Sequence, residues 1–484
     1  MTNRIAALGL IASAGHEREI IKLNGDRCHF LENGDLQQDS CRIYLSGCAS
    51  QVSTGSQSFD QVYLDDLRSI LATPFSAGPG RIILIEDLHP LIVEILGTAL
   101  DIDPIFFADH VVTNYAEIEK SPAPPSVALA PSQIASQADR VNIHFQQIVD
   151  LGAEEGFRNS TWIFNTAANV HRTVRRLPPL SGRQLGIARS CCSVLVKPFE
   201  AKRVKQASDR DSSQALILVD STTSNMSCGA TSCHIRRFPL HNGTEDFRTP
   251  ILFSAFQSQR HRLDPPSAST SLVQILRDCF VESLPTFEHA KPSVLDLAYY
   301  PLRIVVGEWM LYSQVMARYL AHYEYSFKDI ELVLRGERDD MIELQKWRHR
   351  AIQSQFKIQS TRRFVAYCLA RSPAEKERGP WDLILNDLDH LSTKIEVYGQ
   401  SMERMVSVVT SMFQLIDSRR SIAEAINVRR LTIVALVFVP LSWVASLFSM
   451  TDDFAPGQSR FWLYFAVAVP LCVAIGAFSL LAEF

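Results

Sequence analysis

Two long uncharged apolar segments near the C-terminal end constrain what this chain can fold into. Residues 431–450, LTIVALVFVPLSWVASLFSM, carry no charge, and residues 461–482 form a second such segment. A helix rises 1.5 Å per residue, so each segment is long enough to cross a hydrocarbon core of about 30 Å. The buried core helix of a soluble protein can be as apolar as one of these segments. Two such helices in succession are much harder to explain in a soluble protein. The sequence therefore predicts two transmembrane helices in contact with membrane lipid.

The placement of charge predicts the orientation of these spans. The first segment is preceded by four arginines, whereas the connecting residues 451–460 hold one arginine and two aspartates. The four are Arg419, Arg420, Arg429 and Arg430. Because positive residues are retained on the cytosolic side of a membrane, we predict an integral two-span protein whose N-terminal domain is cytosolic.

One alternative places the N-terminal part outside the cytosol. Arg4 precedes the apolar stretch IAALGLIASA, which weakly resembles a secretory signal, and glycosylation sequons begin at Asn159, Asn225 and Asn242. The stretch is short and sequons are common by chance, so the cytosolic orientation is preferred.

A long helical stalk is predicted immediately before the first span. Between Pro380 and Pro440 the sequence has no further proline and a single glycine, Gly399. Apolar residues recur there at spacings of three and four, which is typical of a helix packed along a seam against other helices. These seam residues are Leu388, Leu391, Ile395, Tyr398, Met402, Met405, Val409, Met412 and Ile416. Two further helices are predicted upstream, at residues 301–325 and 327–372.

The N-terminal region has short β-type segments between polar, serine-rich loops. Predicted strands cover residues 41–45, 81–85, 141–145, 192–197 and 215–219, and predicted helices cover residues 90–100 and 271–283. This mixture predicts an α/β (α+β) domain. The predicted organisation is an unassigned segment 1–75, a cytosolic α/β domain 76–290, a long-helix stalk 291–430, a first span 431–450, an extracytosolic loop 451–460 and a second span 461–482.

Neither an enzyme nor a bound cofactor is predicted. The GPGR segment ending at Arg81 lacks the Lys-Ser/Thr that follows a phosphate loop. Cys228, Cys233 and His234 lack a second ligand pair for zinc. A net charge of −4 gives no reason to expect nucleic acid as a partner, and ten scattered cysteines do not form a disulfide framework.

The combination of an α/β domain, a long helix and two C-terminal spans resembles the CorA family of magnesium channels. The resemblance is sharpest in residues 429–450, RRLTIVALVFVPLSWVASLFSM, with the family's Pro-Leu-Ser step. Residues 81–110 are similar to CorA-like proteins of filamentous fungi, and the Gly-Glu-Trp ending at Trp309 and the WRHR beginning at Trp347 fit that branch.

The resemblance implies a homopentamer whose first spans line a pore for hydrated Mg²⁺, with divalent cations as partners. The family's Gly-Met-Asn turn corresponds here to Ser449, Met450 and Thr451. Ser442 matches a pore-facing hydroxyl position. At the pore mouth, Asp452 and Asp453 are expected either to concentrate cations or simply to be solvated.

Two functions follow from this resemblance. The first is a passive channel for a divalent cation, Mg²⁺ above all, with Mg²⁺ also as a regulatory ion. Its regulatory ligands are unassigned, and the sequence only offers Asp382, Asp387 and Asp389 near the stalk start. The second is a non-conducting scaffold or regulator, because Ser-Met-Thr replaces Gly-Met-Asn. A membrane-tethered enzyme is a third and weaker hypothesis.

Overall fold

The structure is a computed structural model of the chain. It describes residues 41–46, 59–72, 80–111, 139–153, 162–166, 168–180, 182–198, 213–221, 225–228, 231–234, 236–237, 271–282, 293–326, 338–371, 378–450 and 459–482. The chain divides into two compact units, Met1–Met402 and Glu403–Phe484.

A mixed β-sheet forms the centre of the first unit. In the described ranges it has eleven strands: β1 (Arg42–Ser46), β2 (Phe59–Val62), β3 (Gly80–Glu86), β4 (Arg140–Ala153), β5 (Ile163–Thr166), β6 (Thr173–Arg176), β7 (Arg183–Pro198), β8 (Ser213–Val219), β9 (Asn225–Cys228), β10 (Thr231–His234) and β11 (Arg236–Arg237). The strand order is β10-β9-β5-β6-β7-β8-β3-β1-β2, and β4 pairs with β7 and β11. The β3 and β8 strands are parallel, whereas the other pairs are antiparallel.

Each of the five predicted strands is found, and the two longest extend well beyond their predictions. The β4 strand has 14 residues and the β7 strand has 16. The β8 strand lies between β7 and β3, and its ALILV segment is buried throughout. An unbroken apolar run is typical of a strand covered on both faces.

Among the described residues, four short helices accompany the sheet: α1 (Leu64–Ala72), α2 (Pro90–Leu100), α3 (Pro104–Val111) and α4 (Leu272–Glu282). The α2 helix has the predicted bounds. It begins at Pro90 because His89 is extended and its ring nitrogen accepts a hydrogen bond from the Leu91 N–H at 3.2 Å. The core between α2, α3 and the sheet includes Ile83, Ile85, Ile92, Leu96, Phe106, Leu195, Leu216 and Leu218.

Long helices make up the C-terminal half: α5 (Val294–Ser326), α6 (Arg338–Arg371), α7 (Arg378–Phe448) and α8 (Trp462–Ala482). The prediction of an α/β region followed by long helices is confirmed. The α5 helix starts earlier than predicted and continues through Pro301. The α7 helix runs for 71 residues, and Gly399 lies where α6 comes close, since a Cβ there would be 3.1 Å from the Cβ of Ala351.

Aromatic contacts join α5 and α6 in the first unit. The rings of Tyr319 and Trp347 are 5.2 Å apart, and the Ser354 hydroxyl donates to the Tyr312 hydroxyl at 3.2 Å. Higher numbers on one helix meet lower numbers on the other, so the two helices are antiparallel. Both Trp347 and Tyr312 are fully buried.

Candidate functional site

The second unit contains the C-terminal part of α7 and the whole of α8. These two segments pack as an antiparallel hairpin. The Cys472 thiol lies 3.9 Å from the Val437 carbonyl oxygen, and the rings of Phe448 and Tyr464 are 6.2 Å apart, edge to face. Val444 on α7 is 1% exposed. The helix ends at Phe448, so the first predicted span forms the last turns of one long helix.

The face of α7 that meets α8 is apolar, and the opposite face carries hydroxyl groups. Val437, Val444 and Phe448 share one stripe because they are spaced by seven and four residues. Ser442 lies two residues from Val444, which rotates it about 200° around the helix, away from α8. Its side chain is exposed, and its hydroxyl donates to the Val439 carbonyl oxygen at 2.8 Å.

Two of the three residues of the predicted selectivity turn follow the end of α7. The Ser449 N–H donates to the Ala445 carbonyl oxygen at 2.9 Å, so this residue closes the last helical turn. Met450 comes next and is 80% exposed. The remaining predicted residues lie outside the described residues: Thr451, Asp452 and Asp453.

Sequence reasoning missed a third hydroxyl on the same stripe. Ser446 lies one turn after Ser442 and is also exposed, and Ser449 follows within the next turn. We define Ser442, Ser446 and Ser449 as the hydroxyl stripe. The signal was available, since serines spaced by four and three residues in an apolar segment must share one side of a helix.

The α7 helix is the one described helix that is both long and apolar enough to cross a membrane. Almost the whole of its apolar segment is exposed. The core helix of a soluble protein would bury such a surface, so this exposure favours contact with lipid. The α8 helix is also apolar. Its apolar segment Trp462–Ala477 is shorter than that of α7.

Two of the three aspartates near the start of α7 pair with arginines of neighbouring helices. Asp387 lies 3.5 Å from Arg303 of α5, and Asp389 pairs with Arg362 of α6. Among the described residues, no group of three or more His, Cys, Asp or Glu side chains is placed to hold a metal ion.

Comparison with known proteins places the C-terminal region in context. Residues 314–482 match the family model described as CorA-like Mg²⁺ transporter protein. This region of the chain is similar to that family. The match includes the C-terminal part of α5 and all of α6, α7 and α8, together with the hydroxyl stripe.

Two solved structures match most of the chain at low identity. The CorA magnesium transporter from Methanocaldococcus jannaschii is 11% identical, with a TM-score of 0.36, and the match covers 90% of this chain and 96% of that one. The full-length CmaX protein is 12% identical, with a TM-score of 0.38, and the match covers 94% of this chain and 100% of that one. No curated protein matches the chain.

Proposed function

We propose that this protein is a passive transporter of divalent cations, with Mg²⁺ as its cargo. The observation that carries the proposal is the exposed apolar end of α7, whose face away from α8 bears three hydroxyl groups within a CorA-like sequence. A single copy offers no enclosed path, because this face is open. Several copies arranged with their stripes inward would enclose one.

The arrangement of residues supports a pore lined by α7 and surrounded by α8. Large apolar side chains suit contact with lipid, whereas small hydroxyl residues suit contact with other helices or with water. The α8 helix has 21 residues, about 31 Å at the usual rise, which is long enough for a second span. The assembly that the resemblance implies is a homopentamer with its N-terminal domains in the cytosol.

The chemistry of Mg²⁺ suits such a pore. The ion gives up its water reluctantly, so a ring of neutral oxygens that contacts the hydration shell selects it without removing that shell. We assign this role to the Ser449-Met450-Thr451 turn, and we assign the attraction of cations to Asp452 and Asp453. An inside-negative potential supplies about 4.6 kcal/mol per 100 mV to a doubly charged ion, so no chemical energy is needed.

The test is uptake of Mg²⁺ into proteoliposomes that contain the purified full-length protein. A fluorescent Mg²⁺ indicator inside the vesicles reports uptake under an imposed inside-negative potential, and Ni²⁺ and Co²⁺ serve as comparison ions. We expect uptake that cobalt hexaammine, a mimic of hydrated Mg²⁺, blocks. Absence of uptake by a confirmed oligomer would refute transport.

A non-conducting scaffold is the second candidate, and one observation favours it. Ser449 and Thr451 replace the glycine and asparagine that the family turn carries, so both the backbone freedom and the longer amide of that turn are lost. The double variant Ser449→Gly and Thr451→Asn separates the two functions. Uptake by that variant alone would favour the scaffold, whereas uptake by both proteins would favour transport.

A further inference from the structure

A layer of buried ionisable groups lies between the sheet and two helices of the first unit. We define this layer by its three titratable members, His110 on α3, His144 on β4 and Lys357 on α6. Their side chains are almost inaccessible, at 0%, 4% and 2% exposed. His144 lies directly opposite Cys191 of β7 in the ladder. Lysine is rarely buried to this degree, so its placement on a helix that packs on β4 needs an explanation.

The carboxylate of Asp220 and the guanidinium of Arg172 hold the C-terminal end of α3 in place. The His110 ring lies 2.8 Å from the Ser193 hydroxyl and 3.5 Å from an oxygen of Asp220. Asp220 also accepts hydrogen bonds from Arg172 at 2.6 and 2.9 Å and from the Cys191 N–H at 2.8 Å. Arg172 in turn donates to the carbonyl oxygens of His110 and Val111 at 2.7 and 2.6 Å.

Each member of the layer resists taking up a proton, first because it is buried and then because of nearby positive charges. Burial, followed by the charges of Arg189 and Arg172, lowers the pKa of Lys357 to about 7, and the Cys191 thiol acts in the opposite direction. Burial is also the main cause that lowers the pKa of His110 to about 4, with Arg172 adding to it and Asp220 opposing it.

The pKa of His144 is also lowered, and both other members of the layer contribute to that shift. Its pKa lies well below the usual value, first because of burial and then because of the charges of Lys357, Arg172 and His110. A proton on Lys357 or on His110 therefore raises the cost of a proton on His144.

Acidic groups also lie on the helices near this layer. On α5, the fully buried Glu308 comes level with Lys357, because the contact between Ser354 and Tyr312 one turn away sets the antiparallel register. On α7, Glu396 accepts a hydrogen bond from Gln355 of α6 at 3.1 Å. Asp389 pairs with Arg362, and Asp109 acts on the Cys191 thiol.

We propose that this layer makes the packing of α6 on the sheet depend on proton concentration. The helix stays packed while Lys357, His110 and His144 are uncharged, and it loosens as they take up protons. Because α6 leads into α7, cytosolic acidification would regulate the transport proposed above, and only this last step rests on that function.

The direction in which pH changes the stability of the packed state follows from proton binding. Each member has a lower pKa when packed than when exposed to water, so the loosened state binds more protons. Stability of the packed state therefore falls as pH decreases, first through Lys357 between the normal lysine range and about 7, and then through His110 between 6.5 and about 4.

The experiment is hydrogen exchange of the full-length protein in lipid nanodiscs at pH 8.5 and 6.5, corrected for the intrinsic rate of exchange. We expect the opening equilibrium of the middle of α6 to increase by about tenfold or more at pH 6.5. Lys357→Met keeps the length of the side chain without the charge and should remove most of this increase, leaving only the smaller part due to His110 and His144. Lys346→Met, on an exposed residue of the same helix, should retain it.

Two further outcomes decide the proposal. Equal opening at both pH values in the unmodified protein, or an undiminished increase in Lys357→Met, would overturn it. If Lys357→Met does not fold, the experiment uses Lys357→Arg instead. Because arginine keeps its charge at both pH values, we then expect the middle of α6 to open readily at both. Since exchange reports helix packing whether or not ions flow, absence of Mg²⁺ uptake together with pH-dependent exchange would refute only the transport function.

Discussion

Asp220 and Arg172 form a buried, two-point ion pair at the centre of the α/β region, with N–O distances of 2.6 and 2.9 Å. Both side chains are nearly inaccessible, at 4% and 3% exposed. The pair joins the residue after β8 to the loop before β6, and through the carbonyl oxygens of His110 and Val111 it reaches the end of α3. A single ion pair thus connects three elements that are distant in the sequence.

Removing the charge of Asp220 should be severely destabilising. Asp220→Asn removes the carboxylate charge that the buried guanidinium of Arg172 contacts at two points, and we expect a loss of about 3–5 kcal/mol in the free energy of unfolding. Urea denaturation followed by circular dichroism measures it. The matched control is Asp103→Asn in the more exposed pair with Arg140, where a loss below about 1 kcal/mol is expected. Equal losses in the two variants would contradict this interpretation.

Stability should fall on acidification because of His110. Its pKa is about 4 in the folded protein against 6.5 in water, so the unfolded state binds more protons between these values and stability decreases as pH falls from 6.5 to 4. Thermal unfolding midpoints across this range measure the slope. His110→Gln should reduce the slope without abolishing it, since His144 also contributes, and His390→Gln on an exposed residue of α7 should leave it unchanged.

A large side chain at residue 399 should destabilise the protein, because α6 and α7 come close together there. Gly399→Leu forces branched atoms against Ala351, and we expect a loss of about 1–3 kcal/mol in stability. Gly379→Leu near the start of α7 meets no atom within 4 Å of its Cβ and serves as the control. Chemical denaturation of both variants is the measurement, and a smaller loss at Gly399 than at Gly379 would show that the helices separate readily.

The hydroxyl stripe should be sensitive to bulk. Ser446→Leu places a larger side chain on the face of α7 that lies away from α8, where it would narrow the proposed path of the ion. We expect Mg²⁺ uptake into proteoliposomes to fall at least tenfold. Val473→Leu adds bulk at an exposed apolar residue of α8 and should leave uptake within about twofold. If both substitutions reduce uptake alike, the stripe does not line the path.

The α2 helix was predictable to the residue because its limits are local. Pro90 fixes the first turn and the preceding His89 caps it, so no distant contact is required. By contrast, β4 and β7 were predicted only in part. Gln146 and Arg189 interrupt their apolar pattern, and these polar residues are buried by elements that the sequence alone does not bring together. The long helices were found from their spacing, although α5 passes Pro301 where a helix start was expected.

The candidate site was also predictable only in part. The helical position of Ser442 followed from the apolar segment around it, and the same reasoning applied to Ser446 would have completed the stripe. The pairing of His110 with Asp220 was beyond sequence reasoning, because the sheet joins residues that are far apart in the chain. The roles of Ser449, Met450 and Thr451, and of Asp452 and Asp453, stay predictions.

The hydroxyl of Ser442 gives its proton to the carbonyl oxygen of Val439, and this has a consequence for which ions the helix would favour. Having donated inward, the oxygen presents only lone pairs to whatever lies beside it. Water bound to a cation points its hydrogens outward and matches such a surface, whereas water around an anion points its oxygens outward and does not. Discrimination between positive and negative ions along this helix would therefore require no ionised side chain in the span.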